Sequence, residues 1–153
     1  MKTKKIFVSI LVVLTCITCL TGCTQKKPVT LEEFKNVMSS AGFTIVDATD
    51  QATGDSITAI SLATKEEYQI EFYVFTENKF AASAFIQNQS IFESYESGST
   101  YSLNKEIGNY AYYSLVSDGE CYILARVDNT LMYAVADATY KNDITELAQK
   151  LGY

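Results

Sequence analysis

Carboxylates are the side chains whose spacing comes nearest to a chemical site. Asp47, Asp50 and Asp55 share one polar loop rich in Thr, Asp and Gly. Calcium is held by about six to eight oxygens, and such a loop could supply several. Aligned on Asp47, however, the calcium-loop pattern breaks. Ala52 stands where the sharp turn needs glycine, and Thr58 stands where a glutamate closes the loop. A solvated loop is the expectation, with no metal. Glu66, Glu67 and Glu71 cluster around a turn, where the first two serve to solvate it. The chain has no histidine, so no Ser–His or Cys–His dyad and no imidazole zinc site can form. No glycine-rich phosphate loop and no GxSxG elbow is present. Cys121 has no basic neighbour in sequence and is expected to be a buried core thiol. No catalytic residue, cofactor or metal is therefore assigned, and the chain is expected not to be an enzyme. The alternative is a cell-envelope hydrolase working with carboxylates alone, which needs two of them about 5–9 Å apart.

Another cysteine has a reaction implied by its surroundings. Lys2, Lys4 and Lys5 precede an uncharged apolar run from Ile6 to Leu20, followed by Thr21, Gly22 and Cys23. The run is short of the roughly 20 residues that span a bilayer and suits a signal peptide. Leu20-Thr21-Gly22-Cys23 resembles the lipobox of bacterial lipoprotein signals: an aliphatic residue, two small residues, then cysteine. The resemblance covers residues 1–23 only. It implies diacylglycerol attached through a thioether to Cys23, cleavage before it, and a mature chain starting there. Residues 1–22 are then the discarded signal, 23–29 the lipidated cysteine with a short tether, and 30–153 a single domain.

Cleavage changes the charge balance. Lys2, Lys4 and Lys5 leave with the signal and no acidic residue does, so nine basic residues face eighteen acidic ones, a net charge of −9. Nucleic acid is an unsuitable partner for such a surface, because affinity there comes from neutralising phosphates. Anionic lipid should also repel it overall, leaving the acyl chains on Cys23 to hold the protein at the outer face of the cytoplasmic membrane. Lys26 and Lys27 read as part of a solvated linker. Cys16 and Cys19 also leave, so Cys121 is the one free thiol and no intramolecular disulfide is possible. Eleven lysines to one arginine, with frequent Asn, Thr, Tyr and Ile, fit an AT-rich, Gram-positive source.

The elements that must position any site follow from periodicity. Thr30-Leu31-Glu32-Glu33 is a capping box. Leu31, Phe34, Val37, Met38 and Ala41 then follow helical spacing up to Gly42. Phe43–Asp47 reads as a strand. Ile57–Thr64 and Tyr68–Phe75 read as an antiparallel hairpin. Thr76 is the expected cap of a second helix, Glu77 to about Tyr95, with an apolar stripe of Phe80, Ala84, Ile91 and Tyr95 widened by Phe85 and Phe92. Tyr101–Ile107 is at most a short strand. Asn109–Ser117, Glu120–Val127 and Thr130–Ala138 are strands joined at Asp118-Gly119 and Asp128-Asn129, and a last helix covers about Asn142 to Leu151. The order α-βββ-α-(β)βββ-α means α+β, an antiparallel sheet of six or seven strands packed with about three helices.

Two-residue turns in these hairpins fix which side chains share a face. One face collects Val116, Cys121, Ala136, Ser114, Ile123, Ala134, Tyr112, Ala125 and Met132. Its small residues let a helix approach closely. The other collects Leu115, Tyr122, Val135, Tyr113, Leu124 and Tyr133, with Arg126 at one end and Glu120 beside Asp137 at the other. This second face is either further core or a binding surface in which Tyr113, Tyr122 and Tyr133 meet a protein partner or small ligand. The functional expectation is a lipid-anchored, non-enzymatic binding module, with a purely structural surface lipoprotein as a further alternative.

Overall fold

A computed structural model describes residues 25–65 and 67–153 of the chain. The signal segment, Cys23 and Glu66 lie outside the described residues. Seven antiparallel strands form one sheet in the order β1-β2-β3-β7-β6-β5-β4. In chain order the elements are α1 (Leu31–Ser40), β1 (Thr44–Asp47), β2 (Ile57–Thr64), β3 (Gln69–Phe75), α2 (Asn78–Glu93), β4 (Ser99–Ile107), β5 (Tyr110–Ser117), β6 (Glu120–Val127), β7 (Thr130–Asp137) and α3 (Lys141–Lys150). The α+β expectation holds, with the upper strand count: Tyr101–Ile107 belongs to a full nine-residue edge strand.

The first helix starts as its sequence requires. The Glu33 amide donates to Thr30 Oγ1 at 3.1 Å, and the Thr30 amide donates back to the Glu33 carboxylate at 2.8 Å. Both hydrogen bonds satisfy amides that the first helical turn leaves without partners. Thr30→Ala should cost about 0.5–2 kcal/mol of stability in a urea titration. A change near zero would show that tertiary packing alone holds the helix start.

The β5–β6–β7 meander has the expected register. Val116, Cys121 and Ala136 lie side by side, as do Tyr112, Ala125 and Met132. Asp118 and Gly119 both take positive φ (52° and 85°), the conformation that two-residue hairpin turns demand. β7 then returns to pair with β3, from Gln69 opposite Val135 to Val74 opposite Thr130. This pairing joins the two halves of the sheet.

Helices cover both faces. On the Cys121 face, α1 and α3 supply Phe34, Met38, Ile144, Leu147 and Ala148 to a core that includes Phe72, Ile123 and Met132. Cys121 is fully buried there, and burial pushes its thiol pKa up, the condition of an inert thiol. On the opposite face, α2 supplies Ala81, Phe85 and Phe92 to a second core with Tyr113, Leu115, Tyr122 and Leu124. The described residues thus contain the apolar interior of both layers.

Two details of α2 differ from expectation. Thr76 does not cap it: its hydroxyl donates to the Ser56 carbonyl (3.3 Å), and Glu77 occupies the cap position with no side-chain hydrogen bond. The buried stripe is Ala81, Phe85 and Phe92, while Ile91 and Tyr95 are 53 % and 44 % exposed. The apolar residues of this helix are spread so widely that periodicity alone leaves its rotation open. The tyrosines beneath decide it, by accepting Phe92 between them.

Candidate functional site

Phe92 settles the status of the tyrosine face. Its ring centroid lies 6.3 Å from Tyr113, 5.0 Å from Tyr122 and 5.5 Å from Tyr133. Tyr113 and Tyr122 are 1 % and 8 % exposed. Of the two roles open to this face, the binding surface does not hold, because α2 lies over the trio and fills the space a ligand would need. Two of the three hydroxyls are satisfied at the margins of the helix. Tyr113 donates to Glu96 (2.9 Å) and Tyr122 to Glu120 (2.6 Å).

These hydrogen bonds carry a pH dependence. Burial and the Glu96 carboxylate push Tyr113 up to about 12, and the Glu120 hydrogen bond together with burial does the same for Tyr122. In the unfolded chain tyrosines ionise near pH 10. The unfolded state therefore loses these protons first. The stabilisation they give is complete below pH 10 and is lost between about 10 and 12. Urea midpoints measured at about pH 9 and about pH 11 should fall across that step. Equal midpoints would contradict the burial of these hydroxyls.

The open concave surface lies on the other face of the sheet. α3 packs over β6 and β7 and stops short of the edge strand, so β4 and part of β5 form an uncovered shelf beside it. Alternation along β4 places Tyr101, Leu103, Lys105 and Ile107 on that shelf, opposite Val116, Ser114, Tyr112 and Tyr110 of β5. With Asn142, Thr145 and Gln149 of α3 as the far wall, the result is a cleft of about 460 Å³. Small-molecule sites commonly have volumes of about 300–1,000 Å³.

The lining is unlike the rest of the surface. Lys26, Lys105 and Lys141 all border the cleft, and no Asp or Glu side chain does. Among the described residues none of the three has a carboxylate within ion-pair distance, whereas Lys27, Lys35, Lys79 and Lys150 each do. Lys141 Nζ sits 3.4 Å from the centroid of the Tyr101 ring and Lys26 Nζ 3.8 Å from that of Tyr110, geometries in which the ring face attracts the cation. Partial burial, with the like charge of Lys105 adding to it, lowers the pKa of Lys26. An anion placed between these ammonium groups would relieve both effects.

Lys26 is not part of a solvated linker. Its backbone amide donates to Asn109 Oδ1 (3.0 Å), and Asn109 Nδ2 donates back to the Lys26 carbonyl (2.7 Å). The Lys26 ammonium donates to the Gly152 carbonyl (2.8 Å), and Val29 is 5 % exposed in the core. Among the described residues, Lys26 and Val29 already pack on the domain, ahead of the expected start at Thr30. Asn109 is the residue that makes this possible. It lies in the Gly108-Asn109 turn between β4 and β5 rather than in β5, and its amide also donates to Asp128 Oδ2 (3.0 Å). Gly-Asn between two extended runs is a hairpin signal, and that signal could have located the turn from sequence.

Asp47 Oδ1 accepts from the Thr49 amide at 3.0 Å and its other oxygen lies 3.9 Å from Lys35. Among the described residues no three Asp, Glu, Cys or His side chains converge as metal ligands would. No described helix is long and apolar enough to cross a membrane.

Comparison with known proteins adds little. No family model matches the chain, and no curated protein matches it. A crystal structure of a GTP binding regulator from Thermotoga maritima is similar to this chain at 14 % identity and a TM-score of 0.41, over 80 % of this chain and 84 % of that one. A likeness at that level carries nothing about function.

Proposed function

We propose that this chain is a non-enzymatic binding module, anchored through lipid on Cys23 at the outer face of the cytoplasmic membrane, and that its binding site is the cleft between α3 and the β4–β5 edge. The ligand is anionic and carries an apolar body. One observation supports this reading above the others: three lysines without carboxylate partners among the described residues line a single cleft, two of them against tyrosine faces, on a mature chain whose net charge is −9. Chance placement would scatter nine basic residues among eighteen acidic ones. Tyrosine adds contact area at low entropic cost, and the amide and hydroxyl groups of Asn142, Thr145 and Gln149 offer donors along the opposite wall. The two-carboxylate hydrolase has no place in this cleft, whose lining is free of Asp and Glu.

The test is a thermal-shift comparison with phenyl phosphate, benzoate and uncharged benzyl alcohol on residues 25–153. A native-state ligand stabilises by mass action, about 2.7 kcal/mol at a hundredfold excess over Kd. The two anions should raise the melting temperature and the alcohol should not. The double variant Lys105→Gln, Lys141→Gln should melt as the parent does without ligand yet show no shift. Equal shifts from the alcohol, or an undiminished shift in the double variant, would remove the cleft from consideration.

A further inference from the structure

The latch at Lys26 fixes where the cleft stands relative to the lipid anchor. Two residues, Thr24 and Gln25, separate Cys23 from Lys26, and over those three steps an extended chain covers at most about 3.3–3.6 Å per residue. Lys26 itself borders the cleft and is held to the tip of the β4–β5 hairpin by Asn109. If Cys23 carries its acyl chains in the bilayer, the rim of the cleft stands within roughly 11 Å of the point where the chain leaves the membrane. That distance is less than the depth of a headgroup layer plus one side chain.

Two further observations mark this end of the molecule. Ile107, at the tip of the same hairpin, is 63 % exposed and stands opposite Tyr110 in the β4–β5 pairing. An aliphatic side chain beside an amphipathic ring is the pairing that enters the membrane–water interface. The cations are also local. The overall charge of the mature chain disfavours anionic lipid, but field strength falls away within a Debye length of about 8–10 Å, so Lys26, latched close to the anchor, acts on the bilayer ahead of carboxylates farther off.

We infer that the domain rests with its α3–β4 cleft turned toward its own membrane, and that the cleft takes the phosphodiester headgroup of an anionic phospholipid, with Lys26 and Lys105 around the phosphate and Tyr110 against the glycerol portion. This inference rests on the binding-module reading and names its ligand. The short, latched tether then has a role beyond attachment: it holds the cleft at the depth where headgroups lie, so that anchor and cleft bind the same surface at high effective concentration.

The experiment uses the chain from residue 25 onward, which contains both cores but no acyl group, so that the cleft is measured without the anchor. Co-sedimentation is compared on vesicles of phosphatidylcholine with and without phosphatidylglycerol, with soluble glycerol phosphate as competitor. Binding is expected on the anionic vesicles only. It should weaken roughly 25-fold in Lys105→Gln, Lys141→Gln, at about fivefold per lysine removed, and be displaced by glycerol phosphate. Vesicle binding that survives both the double variant and the competitor would overturn the headgroup assignment, since it would reflect diffuse attraction elsewhere. A melting shift with phenyl phosphate but no vesicle binding would overturn the headgroup assignment and leave the anion-binding cleft standing. Loss of both responses in the parent chain would remove the cleft altogether.

Discussion

Tyr113→Ser is expected to destabilise the domain by about 3–5 kcal/mol, the usual cost of emptying a buried aromatic site. In a domain of this size that corresponds to a fall of roughly 10–20 °C in melting temperature. Tyr113 is 1 % exposed, faces Phe92 of α2, and donates to Glu96, whose carboxylate also accepts from Ser102 at 3.1 Å. Serine would remove the ring from the second core and leave a hydroxyl too short to reach Glu96. Tyr113→Phe separates the two contributions: it keeps the ring and should cost only about 1 kcal/mol for the lost hydrogen bond. Both variants should leave the anion response of the cleft intact, because Tyr113 lies on the opposite face of the sheet. A melting temperature unchanged in Tyr113→Ser would mean that α2 does not cover this face in solution, and would return the tyrosines to candidacy as a binding surface.

Phe34→Ala should have an effect of similar size in the first core. Phe34 and Phe72 are both fully buried and stack with centroids 4.6 Å apart and planes 12° from parallel. This contact fastens α1 to β3, the strand through which the two halves of the sheet are joined. Truncation removes the aromatic pair and leaves a void that the surrounding Met38, Ile70 and Phe72 can fill only in part, so about 3–5 kcal/mol should be lost. Lys35→Ala, one residue further along, should stay within about 0.5 kcal/mol, since its side chain reaches only an exposed Asp47 at 3.9 Å. A small effect at Phe34 in urea unfolding would show that α1 is only loosely attached.

How much of this could be read from the residues depends on how local the cause is. The β5–β6–β7 register was legible because Asp118-Gly119 and Asp128-Asn129 dictate tight turns, and alternation then assigns every side chain to a face. The start of α1 was legible because Thr30 and Glu33 complete each other within one turn. β4 was obscure for a physical reason. As an edge strand it is exposed on both faces, so the alternation of Tyr101, Leu103 and Ile107 with polar residues is weak and is interrupted by Lys105, and Gly108-Asn109 was the clearest local cue. The rotation of α2 depends on tyrosines from three other strands. The latch joins Lys26 to Asn109 across 83 residues. The cleft is the least legible feature of all: Lys26, Lys105 and Lys141 look like ordinary solvated lysines until the topology leaves α3 one strand short of the sheet edge and brings them together.

The central claim is that this cleft, and no other surface of the domain, is where the chain meets its ligand. A titration of the isotopically labelled domain with phenyl phosphate, followed through its backbone amide resonances, tests it most directly. The predicted result is saturable shifts confined to β4, the Gly108-Asn109 turn, Lys26 and the first turn of α3, and absent in Lys105→Gln, Lys141→Gln. Shifts centred on the Asp47–Asp55 loop or on α2, or none at saturating phenyl phosphate, would contradict it.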